Sequence, residues 1–87
     1  MTDRVERIRR ILEDSFAPTE LDIIDESHLH AGHAGARSGK GHFRVHITSE
    51  AFASKPLLEQ HRMVYAALDD MMQTDIHALS VKSRSPG

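Results

Sequence analysis

The stretch HFRVHITS, residues 42–49, constrains the fold more than any other part of the chain. Phe43, Val45 and Ile47 alternate with His42, Arg44, His46 and Thr48, the period-two pattern of a strand with one apolar and one polar face. Such a strand has to bury its apolar face against another layer, and two amphipathic segments can provide one. TDRVERIRRILEDSF, residues 2–16, puts Val5, Ile8, Ile11 and Leu12 on one helical stripe, with Asp3 as N-cap and Glu6 three positions on. Pro18 ends that element. PLLEQHRMVYAALDDMMQ, residues 56–73, predicts the longest helix, with Pro56 near its first position. Its stripe is Leu57, His61, Val64, Leu68 and Met71 or Met72, with Tyr65 beside it.

Two more strands complete the reading. In ELDIIDES, residues 20–27, Leu21 and Ile23 alternate with Asp22, and in IHALSVKS, residues 76–83, alternation puts His77 on the face of Leu79 and Val81. SEAFASKP, residues 49–56, reads as a connection with a short helical turn around Phe52, and SRSPG, residues 83–87, as a flexible tail. The order α-β-β-α-β predicts an α/β (α+β) domain spanning residues 1–87, with helices on one face of a three-stranded mixed sheet. Strands one and two form an antiparallel hairpin; strands two and three, joined through the long helix, run parallel with a right-handed crossover.

Composition excludes several functions. None of the 87 residues is cysteine, so the chain has neither a disulfide framework nor a thiolate metal site of its own. Its net charge of −2 argues against strong general phosphate binding, although seven histidines would turn it positive in mildly acidic solution. No apolar run is long enough to span a membrane, and MTDRVERIRR has no apolar core of a signal peptide, so a cytoplasmic location is expected.

Five of the seven histidines, His28, His30, His33, His42 and His46, fall between Asp25 and His46. Residues 28–41 read as a loop, because Gly32, Gly35, Gly39 and Gly41 favour turn conformations. Topology adds what spacing cannot. The antiparallel hairpin brings the end of strand one to the start of strand two, and parallel pairing brings the start of strand three there too. The loop histidines, His42 and His77 are therefore expected at one end of the sheet.

Imidazole is a ligand for iron, zinc and copper. The spacing is not that of a zinc finger, His61 is in no HExxH sequence, and neither a GxxxxGK[ST] nor a GxSxG sequence occurs. An acid–base enzyme would need a deep pocket, which a chain this small rarely encloses. Plainer readings compete: His28 as a solvated loop residue, His42 and His46 as solvent-face residues, His61 as a hydrogen-bonded structural histidine, and Asp69 and Asp70 as a solvated helical turn. GHAG, residues 32–35, formally matches the GxxG loop of KH-type RNA-binding domains, but here it links two strands and lacks a flanking basic cluster.

DESHLHAGH, HFRVHITSEAF, QHRMVYAALDDMM and IHALSVKSRSP, in this order and spacing, closely resemble the BolA family across essentially the whole chain. The resemblance implies a small fold related to class II KH domains. It also implies a non-enzymatic adaptor in iron–sulfur cluster handling and iron homeostasis, partnered by a monothiol glutaredoxin. In such heterodimers a [2Fe–2S] cluster is bridged: the glutaredoxin and glutathione supply thiolates, and the BolA-like chain supplies histidines. Carried onto this sequence, the ligands are His77 of HAL and His30 of the first loop, with His33 the competing choice. The isolated chain is then expected to carry no cofactor and to be a monomer or weak homodimer. The rival reading from the same family is a DNA-binding transcriptional regulator, for which Arg44, Lys55, Arg62, Lys82 and Arg84 are the candidate contacts. A simple mononuclear metal-binding protein is a third.

Overall fold

Asp3 starts the first helix as its spacing requires. Its backbone is extended, and Oδ1 accepts a 2.8 Å hydrogen bond from the Glu6 N–H, satisfying a donor that the first turn leaves without an intrahelical partner. The computed structural model describes residues 3–27 and 41–86. In chain order the elements are α1 (Arg4–Phe16), β1 (Glu20–Asp25), β2 (Gly41–Thr48), a 3₁₀ turn (Glu50–Phe52), α2 (Leu57–Ala67), α3 (Asp69–Thr74) and β3 (Ile76–Arg84). Helix α1 stops at Ala17, which takes a left-handed conformation (φ 44°) and donates its N–H to Glu13 O. Pro18 follows and cannot continue the helix.

The sheet order is β1-β2-β3, with β1 antiparallel and β3 parallel to the central β2, so the mixed sheet is as expected. Phe43, Val45 and Ile47 are buried on the helix-facing side of β2. They form one core with Ile23 of β1, Ile76 and Leu79 of β3, Ile8 and Leu12 of α1, Val64 and Leu68 of α2, and Met71 of α3. A fully buried leucine such as Leu12 or Leu68 contributes about 1.5–3 kcal/mol by leaving water.

Three expectations change. The long helix is two: Leu68 (φ −97°, ψ 11°) interrupts it, and Val64, Leu68 and Met71 of the predicted stripe are nevertheless all buried in the core. Asp69 and Asp70 then form the exposed first turn of α3, where carboxylates suit the positive end of a helix. Pro56 stands next to the first helical residue as expected, but Leu57 is 58% exposed although the stripe predicted it buried. Finally, β3 runs on through Ser83 and Arg84, the first two residues of the expected tail. Arg84 O accepts from Ser49 N, and Ser83 Oγ donates to Gln60. No helix among the described residues is long and apolar enough to cross a membrane.

Candidate functional site

The start of β3 breaks its alternation. From Gly41 to His42, β2 advances one residue, while its partner positions on β3 advance two, from Ile76 to Ala78. His77 is the additional residue, and the resulting register shift turns it away from the core. This corrects the expectation that His77 shares a face with Leu79 and Val81: Ile76 and Leu79 are buried, and His77 is exposed. Its ring instead lies beside that of His42, with centroids 5.2 Å apart and planes tilted by 56°. The two histidines, 35 positions apart in sequence, meet at one end of the sheet as the topology predicts.

His42 differs from its expected role. It is 8% exposed, because β2 is the central strand and the polar face of its first residues is covered by neighbours, His77 among them. Local hydrogen bonds fix the mouth of the hairpin around it. His42 N donates to Ser27 Oγ (3.1 Å), Glu26 N to His42 O (2.8 Å), Ser27 N to Asp25 Oδ1 (2.9 Å), and Gly41 N to Asp75 O (2.9 Å). Gly41, expected as a loop glycine, is the buried first residue of β2. A Cβ there would come within 2.7 Å of both Phe43 Cε2 and Ser27 Oγ, so the close approach of these groups requires glycine. Tyr65 of α2 anchors the outer edge of β3 two residues beyond His77, its hydroxyl donating to Leu79 O at 2.6 Å.

His28, His30 and His33 lie outside the described residues. Among the described residues, no group of three or more His, Cys, Asp or Glu side chains is placed to hold a metal ion. What this end of the sheet presents is an accessible imidazole, His77, backed by a buried one, His42. Imidazole nitrogen suits iron, zinc or copper, and an exposed single ligand leaves room for donors from another molecule.

The remaining histidines depart from their plain readings. His46 is half-buried on the polar face of β2 and His61 half-buried on α2; the Nε2 of each is buried without a hydrogen-bond partner among the described residues. Among the described residues, His61 Nε2 thus lacks the hydrogen bond expected of a structural histidine. The five candidate nucleic-acid contacts are all exposed but dispersed. Arg44, Lys82 and Arg84 share the face of the sheet opposite the helices, Lys55 precedes α2, and Arg62 lies on α2. Arg44 pairs with Glu26 at 3.4 Å and Arg84 with Glu20 at 3.5 Å, which offsets two of the positive charges.

A sequence model of BolA-like proteins matches residues 12–87, nearly the whole of this fold. The chain belongs to the BolA family. Its similarity to other BolA chains extends to structure: BolA1 from Arabidopsis thaliana superposes with a TM-score of 0.86 at 39% identity, covering 99% of this chain and 95% of that one. The mixed α+β architecture, with its three-stranded sheet, is thus that of solved BolA structures. The chain is also 41% identical over 85 residues to SufE-like protein 1, chloroplastic/mitochondrial, of Arabidopsis thaliana, matching 92% of this chain but only 23% of that protein. It is 38% identical over 76 residues to the DNA-binding transcriptional regulator BolA of Escherichia coli (strain K12), covering 87% of this chain and 70% of the relative.

Proposed function

We propose that this BolA-family chain is a non-enzymatic adaptor in iron–sulfur cluster handling and iron homeostasis, forming a [2Fe–2S]-bridged heterodimer with a monothiol glutaredoxin. The observation that carries the reading is His77: a register shift at the start of β3 turns it out of the core and sets its ring against His42. In this reading His77 is one ligand and His30 the second, with His33 as its competitor. The partner and its glutathione supply the sulfur that a cysteine-free chain lacks. When bound, the cluster supplies an electron-accepting and transferable iron–sulfur unit. The chain's own residues orient and shield: His42 packs beside His77, while the bonds of Ser27, Gly41 and Glu26 hold the hairpin mouth in register. Histidine ligation requires neutral imidazole, so the heterodimer should release its cluster faster as pH falls than an all-thiolate glutaredoxin dimer does.

The test is reconstitution of the chain with a monothiol glutaredoxin and glutathione, followed by visible absorption and circular dichroism. The His77→Ala variant should form a heterodimer whose cluster spectrum is altered and whose lifetime against a chelator is shortened. An unchanged spectrum and lifetime would remove His77 from the site. His30→Ala and His33→Ala, measured side by side, distinguish the two loop candidates.

A second reading has its own observation. A relative 38% identical is named a DNA-binding transcriptional regulator, and Arg44, Lys82 and Arg84 share one face of the sheet. With Glu26 and Glu20 offsetting two of these cations, binding should be weak and steeply salt-dependent. Titrating specific and scrambled duplexes at two salt concentrations tests it: equal affinities for both would deny sequence-specific regulation.

A further inference from the structure

Asp75 is the single residue between α3 and β3, and it turns the chain from one into the other (φ −122°, ψ −24°). Its backbone is tied on both sides. The N–H donates to Met71 O at 2.7 Å, closing the last turn of α3, and the carbonyl accepts from Gly41 N at 2.9 Å, at the start of β2. The register shift follows at once, with Ile76 opposite Gly41 and His77 as the additional residue. The direction in which the chain leaves Asp75 therefore aims His77.

The Asp75 carboxylate sits where a helix disfavours one. It stands at the negative end of α3, whose last turn has no basic residue, and its side chain is only 16% exposed. The compensating charge comes from α1, at the other end of the sequence. Arg7 Nη1 donates to Asp75 Oδ2 across 68 positions, and Arg4 Nε stands 4.0 Å from Oδ1. Ile8, next to Arg7, is fully buried in the core, so the arginine reaches Asp75 from a helix that is itself fixed.

We propose that Arg7 is a positioning residue for His77: by holding the Asp75 carboxylate it fixes how the chain enters β3, and so keeps the register that turns His77 outward, beside His42. Two observations favour this role over an ion pair that only adds stability. First, α3 has six residues and no side-chain cap at its start, too little helix to hold its own end. Second, plain alternation offers β3 a competing register in which His77 joins the face of Leu79 and Val81, because a slip of one residue moves a side chain across the sheet. Burial of Ile76 opposes that slip from the strand side. From the helix side the opposing contact is Asp75 held by Arg7, a charge-assisted bond with one partner largely buried, unlike a loose surface pair. The effect on His77 is independent of the function proposed above; its consequence for a bridged cluster rests on that reading, in which His77 is a ligand.

The test compares Arg7→Gln, Asp75→Asn and the double variant with the unaltered chain, with Arg10→Gln, at an exposed position of the same helix, as control. In NMR spectra of the isolated chain, Arg7→Gln should shift the His77 ring resonances and weaken the cross-peaks between the His42 and His77 rings, leaving the Val45 and Ile47 methyls in place. Asp75→Asn should do the same, and the double variant no more than either, since both changes remove one interaction. Arg7→Lys should restore part of the effect. In the glutaredoxin heterodimer, Arg7→Gln should shorten the cluster's lifetime against a chelator by about tenfold, the lower end for groups that orient a metal ligand. The proposal is overturned if Arg7→Gln leaves the His77 ring signals unmoved while lowering the urea midpoint, as a purely stabilising pair would. It is overturned equally if Arg10→Gln moves those signals as far, or if the single shifts add in the double variant. An unchanged lifetime in Arg7→Gln, where His77→Ala shortens it, also refutes it. The isolated chain contains no cluster, and His77→Ala alone decides the ligand, so failure here and failure of the proposed function give different results.

Discussion

Replacing Ser49 by alanine removes one oxygen from the point where three elements meet. Ser49 is fully buried at the end of β2; its hydroxyl donates to Phe16 O, at the end of α1, at 2.6 Å and accepts from Ala51 N at 3.1 Å. Its own backbone N donates to Arg84 O at the end of β3, and its carbonyl accepts from Phe52 N. Each side-chain bond is worth about 1 kcal/mol net, and an acceptor or donor left buried without a partner costs about 1–3 kcal/mol. Phe16 is only half-buried and Ala51 exposed, so water reaches part of the gap and the lower figures apply. The sum is about 2 kcal/mol, out of roughly 4–13 kcal/mol expected for a chain of this length. At about 4–8 °C per kcal/mol, Tm should fall by roughly 8–16 °C. Urea denaturation followed by far-ultraviolet circular dichroism measures it, with Ser80→Ala, at an exposed position of β3, as the neutral control. A loss below about 0.5 kcal/mol for Ser49→Ala would refute the claim that this hydroxyl ties α1 to the sheet.

Gly41→Ala should cost about 1–3 kcal/mol by forcing Phe43 or Ser27 to move, and should broaden the His42 resonances in NMR spectra. Ala17→Gly should stabilise the chain by about 0.5–1 kcal/mol in the same urea assay, because Ala17 holds a left-handed conformation that glycine adopts without strain. His77→Ala should leave stability within about 0.5 kcal/mol, since the side chain is exposed. A large loss there would assign His77 to the scaffold instead of to a site. Tyr65→Phe should cost about 1 kcal/mol and speed hydrogen exchange along β3, because the Leu79 carbonyl loses its anchor.

Features governed by neighbours along the chain are legible in the residues themselves. The capping of α1 by Asp3 depends on atoms within four residues, and the burial of Phe43, Val45 and Ile47 follows from strand periodicity alone. Strand order also follows, because few topologies connect these elements without a crossing. The break at Leu68 carries no such signal, as neither glycine nor proline marks it. Val64 and Met71 stay on the same apolar stripe on either side of it, so periodicity does not reveal the break either. Leu57 shows the same limit: helical spacing puts it on the apolar stripe, but the sheet beneath it ends at Arg84, leaving it exposed beside a groove.

By itself the sequence determined the elements, their one-sided apolar faces, and the meeting of His42 and His77 at one end of the sheet, since these depend on local periodicity and chain direction. The tertiary structure alone decided which way those histidines face. A register shift is a relation between two strands, here at Gly41, where Phe43 and Ser27 approach closely, and no reading of β3 in isolation contains it. That shift takes His77 off the core face, while the flanking strands bury His42 beside it.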